Sequence, residues 1–457
     1  MSAPRHDQVV VDAPTTTTPD NSEVAARAAI RSGVLAYFVD QYDIYLPIIA
    51  LAPATIYFQS ADLSKGSTAI LSALVFVATL LGRPIGSAIF GHYADTTGRK
   101  KATLIAVAGF GITTLLIALL PGHQTIGAAS IGLLIALRFI DGICLGGEYT
   151  TAVPLAMEWS PKSKRGWYSS LITSTSPGAY AVIAAITLLL LTIVPAGALD
   201  SPYVQWGWRI PFAIGAVLAA VLFRAYLREV EEPPTERTST DAASPLVTLF
   251  NGAYRRSLMQ VFVLMTGTWL ATNMGLAVLP GLLKSHLEMT SKATTIALMI
   301  ATAVCVPVYF LCGILSQRIG RRPFYLRYGL VVAIVGSTSF AITMSKPHGT
   351  LLTVLLVSTI AVCTISTFAP IAAYLTERFP AHIRASGYGV GYSLAIIIPA
   401  FYAFYLSGLS AFMPSHYAPI PLIVLAGLLI SLGGYLGPET KDVDMGAHTH
   451  ELGRKTP

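Results

Sequence analysis

The chain has 457 residues, 54% of them hydrophobic and only 12% charged, with a formal net charge of +7. A soluble chain carries about twice that charged share, roughly 25%, and the positive charge is not gathered into a basic helix or an aromatic-interleaved patch; a soluble globular protein is excluded and no nucleic-acid partner is expected. The apolar residues come instead in about a dozen runs of roughly 20, the length that crosses a hydrocarbon core of about 30 Å.

Residues 1–28, rich in Pro, Thr, Asp and Ser and without the apolar core of a signal peptide, read as a disordered cytoplasmic tail. Spanning helices are predicted at 30–57, 68–91, 102–121, 126–157, 167–195, 208–228, 257–283, 293–316, 323–344, 350–376, 383–409 and 417–436. They define an N-terminal six-helix bundle over 29–228 and a C-terminal one over 257–437. Between them, 229–256 reads as a cytoplasmic linker, because Glu231-Glu232-Pro233-Pro234 and the polar run after it break helical periodicity. Residues 438–457 read as a second cytoplasmic tail. With both termini inside, cytoplasmic segments hold 23 of the 30 Lys and Arg, and the outer loops hold only Lys65, Arg209, Lys284, Lys292 and Lys346; that asymmetry orients the chain. Cys144, Cys305, Cys312 and Cys363 all lie within spans, so neither disulfides nor a cysteine metal site is expected.

Two landmarks repeat. Gly91-x3-Asp95-x2-Gly98-Arg99-Lys100 recurs as Gly313-x3-Gln317-x2-Gly320-Arg321-Arg322, an offset of 222, and Glu158 with Arg165 recurs as Glu377 with Arg384, an offset of 219. Two related bundles are expected to hold a ligand near the midplane between them and to rock about it.

The segment Gly91 to Lys101 resembles the loop signature of the major facilitator superfamily. Arg83-Pro84-x-Gly86, Arg138-x3-Gly142-x3-Gly146-Gly147-Glu148, Glu158 with Arg165-Gly166, and Pro438-Glu439-Thr440-Lys441 resemble its metabolite:proton symporter branch. That branch includes bacterial permeases for 2-oxoglutarate, citrate, shikimate, and proline or betaine. The resemblance implies an all-α fold of twelve transmembrane helices in two pseudo-symmetric bundles, in a bacterial-type inner membrane, with helices 1, 4, 7 and 10 lining the cavity. The chain departs from the branch at Asp40-Gln41-Tyr42-Asp43-Ile44, at Asp141 and at Gln317, partly within that cavity, so no substrate is carried over from it.

An ionised group inside a spanning helix costs several kcal/mol, about 2.5 upward, unless it faces water or a partner. Asp40, Asp43, Asp141 and Glu148 stand against two such arginines, Arg83 and Arg138. At about 100° per residue Arg138, Asp141, Glu148 and Tyr149 share one stripe. A structural ion pair is one reading of Arg83 and Asp141; for Asp43 and Arg138 a functional one is favoured. An anionic substrate that takes over the arginine leaves the aspartate to bind a proton, so Arg138, Arg83 and Tyr149 are expected to bind substrate and Asp43, Asp40, Asp141 and Glu148 to couple protons. In the second half Asn273, Tyr374, Tyr388 and Tyr392 are further substrate candidates, although tyrosines at helical spacing are commonly packing residues. Gly91, Asp95, Gly98, Arg99, Lys100, Glu158, Arg165, Gln317, Gly320, Arg321, Glu377 and Arg384 are expected to gate the inner side, since topogenic charge alone explains the arginines but not the repeated Gly and Asp spacing.

No His-Glu-x-x-His or Gly-x4-Gly-Lys-Ser/Thr motif is present, which argues against an enzyme or an ATP-driven pump. The sequence therefore points to proton-coupled uptake of a small polar metabolite, an organic acid first, by a monomer needing no cofactor or metal. Its partners are the bilayer, the substrate and protons. The rival is a proton-coupled exporter of a drug or cationic compound.

Overall fold

A computed structural model describes residues 19–60, 62–63, 65–229, 245–252 and 254–445. Twelve helices among them are long and apolar enough to cross a membrane: α1 Ala26–Tyr57, α2 Leu74–Thr97, α3 Arg99–Leu119, α4 Ala129–Glu158, α5 Lys162–Ile193, α6 Tyr203–Glu229, α7 Tyr254–Ser285, α8 Lys292–Ile319, α9 Arg321–Ser345, α10 Thr350–Glu377, α11 Ala381–Leu409 and α12 Pro419–Leu436. Large apolar side chains such as Ile193, Leu311, Leu351 and Phe404 are exposed around the outside, where lipid rather than water is the solvent.

Inside the first bundle α2 packs most closely on α4, and inside the second α12 packs on both α9 and α7. The first contact is set by glycines. A methyl group on Gly82 or Gly86 would overlap the backbone of Phe139 or Ile143, and one on Gly142 or Gly146 that of Thr79 or Arg83. Facing small-x3-small stripes let two membrane helices approach backbone to backbone, and here they carry Arg83 into the bundle. The halves meet along α2 with α11 and α5 with α8, and one apolar core runs through both. Helices α1 and α7 each contain a wider turn, Pro47–Leu51 and Asn273–Val278. At the first, Pro47 withholds the N–H that a regular helix needs.

Three boundaries differ from the sequence reading. The first helix starts at Pro19, inside the tail expected through residue 28; proline is favoured at the first helical position and alanine within a helix. Residues 1–18 lie outside the described residues. The expected linker contains a short helix, Pro245–Phe250, with Leu249 buried and contacts to α2 and α11; residues 230–244 lie outside the described residues. The closing segment is not a free tail as far as Met445: Thr440 and Met445 are buried. The bundle end that carries these segments is here the linker end, and the opposite one the far end.

Candidate functional site

Two buried charge clusters occupy the first half. In one, Arg83 Nη2 on α2 donates to Asp40 Oδ2 on α1 at 3.1 Å, with both side chains fully buried. The same oxygen accepts from Gln41 Nε2 at 2.7 Å, and Gln41 Oε1 accepts from the Ser176 hydroxyl on α5. Glu148 on α4 interacts electrostatically with Asp40 and Arg83, and neither of its carboxylate oxygens has a hydrogen-bond partner. In the other cluster Arg138 Nη1 donates to Asp43 Oδ2 at 2.9 Å and lies 3.0 Å from Asp141 Oδ2. Arg138 Nη2 reaches the Asp43 carbonyl at 3.4 Å, and Thr114 and Thr113 on α3 donate to Asp43 and Asp141. Each arginine thus stands against two acids.

The expected stripes are divided between these clusters. Asp40 and Asp43, three residues apart, point about 60° from each other around the helix, so one meets α2 and the other meets α3 and α4. Arg138 is held on both terminal nitrogens within its own half. Arg83 is less engaged: Nε and Nη1 are buried without a partner, and the guanidinium lies 4.6 Å over the Tyr149 ring. This cluster also touches the second half. Ser87, one turn from Arg83, hydrogen-bonds Tyr149 Oη at 2.8 Å and Ser393 Oγ at 2.7 Å, while Tyr37 Oη pairs with Tyr392 Oη at 3.0 Å. The Tyr149 ring lies 4.7 Å from that of Tyr392 and 6.4 Å from that of Tyr388.

Two expected residues do not join them. Asn273 donates to the Pro399 carbonyl at 2.9 Å and ties α7 to α11. Tyr374 accepts from Gln260 Nε2 at 3.0 Å and packs on Tyr325 inside the second half. Both have found partners within their own bundle, as polar side chains facing neighbouring helices do. The sequence does not single out Ser87, Ser393 or Trp269, whose indole N–H donates to the Tyr392 carbonyl at 3.0 Å. Ser87 was findable, since it lies on the same helix face as Arg83, four residues on; the others had no local signal.

At the linker end the repeated motifs meet across the halves. Asp95 accepts the N–H groups of Ala385 and Ser386 at 3.1 and 2.9 Å, capping the helix Arg384–Leu394 of α11, where a carboxylate is favoured by the unsatisfied amides and the dipole. Gln317, its counterpart, accepts from the Gly166 N–H at 2.9 Å. Glu158 joins Arg99 of its own half to Arg384 of the other, the latter at 2.6 Å; Arg321 grips Glu377 through two bonds of 3.2 and 3.1 Å. Gly98 and Gly320 have φ of 119° and 104°, which only glycine adopts without strain. Gly91 allows α2 to pass close to Ser386, and Lys100 lies in the first turn of α3. The closing segment serves both halves: Arg165 donates to the Val443 carbonyl at 2.6 Å, and Arg384 Nη2 to that of Met445 at 3.1 Å. Arg378, just outside α10, has its pKa lowered by burial.

Toward the far end a cavity of about 340 Å³ opens between the halves, lined by residues of α1, α2, α4, α7 and α11. It lies about two turns beyond the Arg83–Asp40 pair, since Phe76 and Pro47 in its wall are each seven residues away on the same helix faces.

Two six-helix bundles with a closed end, a midplane cluster of charges and a cavity between them define a secondary membrane transporter. The chain belongs to the Major Facilitator Superfamily, whose family model matches residues 33–403. It is 32% identical to the alpha-ketoglutarate permease of Escherichia coli over 85% of this chain and 87% of that protein. To the inner membrane metabolite transport protein YhjE of the same bacterium it is 28% identical, over 90% and 94%. The structure of the proton:xylose symporter XylE bound to 6-bromo-6-deoxy-D-glucose superposes with a TM-score of 0.72 over 93% of this chain and 98% of that one, at 17% identity, a likeness of fold. The protein is a multi-pass inner-membrane transporter of small molecules, not an enzyme.

Proposed function

We propose that the protein takes up a small organic acid together with protons by alternating access, with the linker end facing the cytoplasm and one chain sufficing. The observation that carries this is the buried Arg83–Asp40 pair at the meeting of the halves, with two guanidinium nitrogens that no protein group satisfies. A substrate carboxylate that binds Arg83 competes with Asp40. Asp40 would then be a buried anion without its cation, an arrangement that a proton relieves. Substrate and proton are thereby bound as a pair and released as one. Glu148, which interacts electrostatically with Asp40 and Arg83, is a second candidate to carry that proton, and Asp43 and Asp141 stand together against the single Arg138 in a second cluster. This reading gives the substrate-anchoring role to Arg83 rather than Arg138, whose terminal nitrogens are already engaged.

The names of relatives support an acid. Alpha-ketoglutarate and shikimate are carboxylates, and the shikimate transporter of Escherichia coli is 27% identical over 91% of this chain. The closed linker end and the cavity at the far end support binding from outside. In proteoliposomes, wild-type protein is expected to concentrate a labelled organic acid when the outside is acidified. Proton-driven efflux of a cationic drug, with no movement of any acid, would overturn the proposal.

A further inference from the structure

The surroundings of Arg83 are aromatic and carry one available cation. Tyr392 lies edge-on to Trp269 at 5.2 Å and 6.0 Å from Phe368, and its ring is near-parallel to that of Tyr388 at 6.0 Å. The Tyr388 hydroxyl is buried without a partner. The cavity two turns beyond is walled by apolar groups including Phe58, Val75, Phe76 and Leu134, with Gln59 and Ser72 among its few polar ones, and no charged residue lines it among the described residues. The other midplane arginine, Arg138, is bound by Asp43 and Asp141.

These facts constrain an acid in two ways. A dicarboxylate or tricarboxylate held on Arg83 must put its second charge among rings, beside Asp40, or in a cavity without a cation, and an unpaired buried charge is strongly disfavoured. A flat or cyclic body instead finds ring faces and edges at the offsets that aromatic groups prefer, and a polar substituent on it finds the Tyr388 hydroxyl. Resting on the transport reading above, we infer that the substrate is a cyclic monocarboxylate: one carboxylate on Arg83, and a six-membered ring against Tyr149, Tyr392 and Trp269.

The test is equilibrium binding to the full-length protein in nanodiscs, with benzoate, 4-hydroxybenzoate, cyclohexanecarboxylate, propionate, succinate and citrate as probes. The ring monocarboxylates are expected to bind at least tenfold more tightly than succinate or citrate. In Tyr392→Leu the ratio of benzoate to propionate affinity should fall severalfold, and Tyr392→Phe, which keeps the ring, should restore it. Succinate or citrate binding as tightly as benzoate overturns the inference, as does an unchanged ratio in a Tyr392→Leu protein that is monodisperse by size exclusion. The two readings fail separately. Proton-driven uptake of succinate leaves organic-acid symport standing and removes the ring, whereas ring binding without any proton-driven uptake does the reverse.

Discussion

Asp40 and Asp43 differ in what each would leave behind if neutralised. Asp40→Asn keeps a hydrogen-bond acceptor for Arg83 but cannot exchange a proton, so it should exchange internal for external substrate yet fail to concentrate it on a pH gradient. Paired uptake and exchange assays on one preparation check this. Arg83→Lys retains charge but loses the planar fork and its stacking on Tyr149, and should weaken carboxylate binding about tenfold or more by titration. Arg138→Ala is a different kind of change. It strands Asp43 and Asp141 in the bundle, a loss of about 3–5 kcal/mol for a broken buried pair, and should appear as poor folding or a lowered Tm rather than as a selective binding defect.

The six buried charges were legible because charge inside an apolar run has no other explanation than a partner or a path. How they divide was not. Helical spacing alone groups Arg138 with Glu148 and Tyr149, whereas the pairing depends on which neighbour each side chain reaches, and that is set by the glycine crossing of α2 on α4. Tyr374 shows the same limit: its position on α10 suited a cavity residue, but Gln260 on α7 claims its hydroxyl.

At the scale of elements, closure at the linker end is built from helix caps. Asp95 Oδ1 and Oδ2 each accept one α11 amide; Asp95→Asn keeps only one of these acceptors and loses the favourable charge at the helix terminus, the charge alone being about 1 kcal/mol. That shifts the balance between open and closed states by about fivefold, so turnover should change by that order while equilibrium substrate binding stays within a few-fold. The residue lies roughly 20 Å from the midplane, twelve residues along α2 from Arg83. Sequence repetition pointed to these contacts, since Asp95 and Gln317 hold corresponding positions in the two halves and each accepts a backbone N–H of the other half. It could not reveal that the backbone at Val443 and Met445 supplies the acceptors for Arg165 and Arg384, because a carbonyl leaves no mark on residue identity. Ending the chain after Lys441 removes both acceptors and keeps the Glu439 cap on the Arg321 and Arg322 amides. A cysteine placed at Ser386 in a background without the native cysteines should then react severalfold faster with a thiol reagent added from the linker side. Unchanged labelling would make the segment mere packing.

The far end has its own titratable contact. His416, between α11 and α12, stacks on His286 with ring centroids 3.8 Å apart, and burial followed by the neighbouring imidazole lowers its pKa below 6.5. The unfolded chain therefore takes up the proton first as pH falls, so this contact loses stability from about pH 6.5 downward and is intact above. Thermal unfolding across pH 5 to 8 should show a shallower acid decline in His416→Gln than in wild type.

For the whole molecule the two halves are alike in frame and unlike in content. Twelve spans, the repeat and the division into bundles were readable from hydropathy and spacing, because a bilayer leaves the backbone few alternatives. The charges around Arg83 and Arg138 sit in the first half and the aromatic walls that meet them come largely from the second, so the proposed site exists only where the halves touch, and the proposed cycle would open and close it by rocking one against the other. In the proposed cycle Asp40 and Arg83 bind a proton and an acid as a coupled pair. The most direct test is accumulation of the tightest-binding carboxylate by proteoliposomes under an imposed pH gradient, outside acidic, for wild type and Asp40→Asn side by side. Wild type should concentrate the acid and collapse to simple equilibration when an uncoupler removes the gradient, and Asp40→Asn should reach equilibration and no more. Accumulation by Asp40→Asn equal to that of wild type, or none by either, would contradict it.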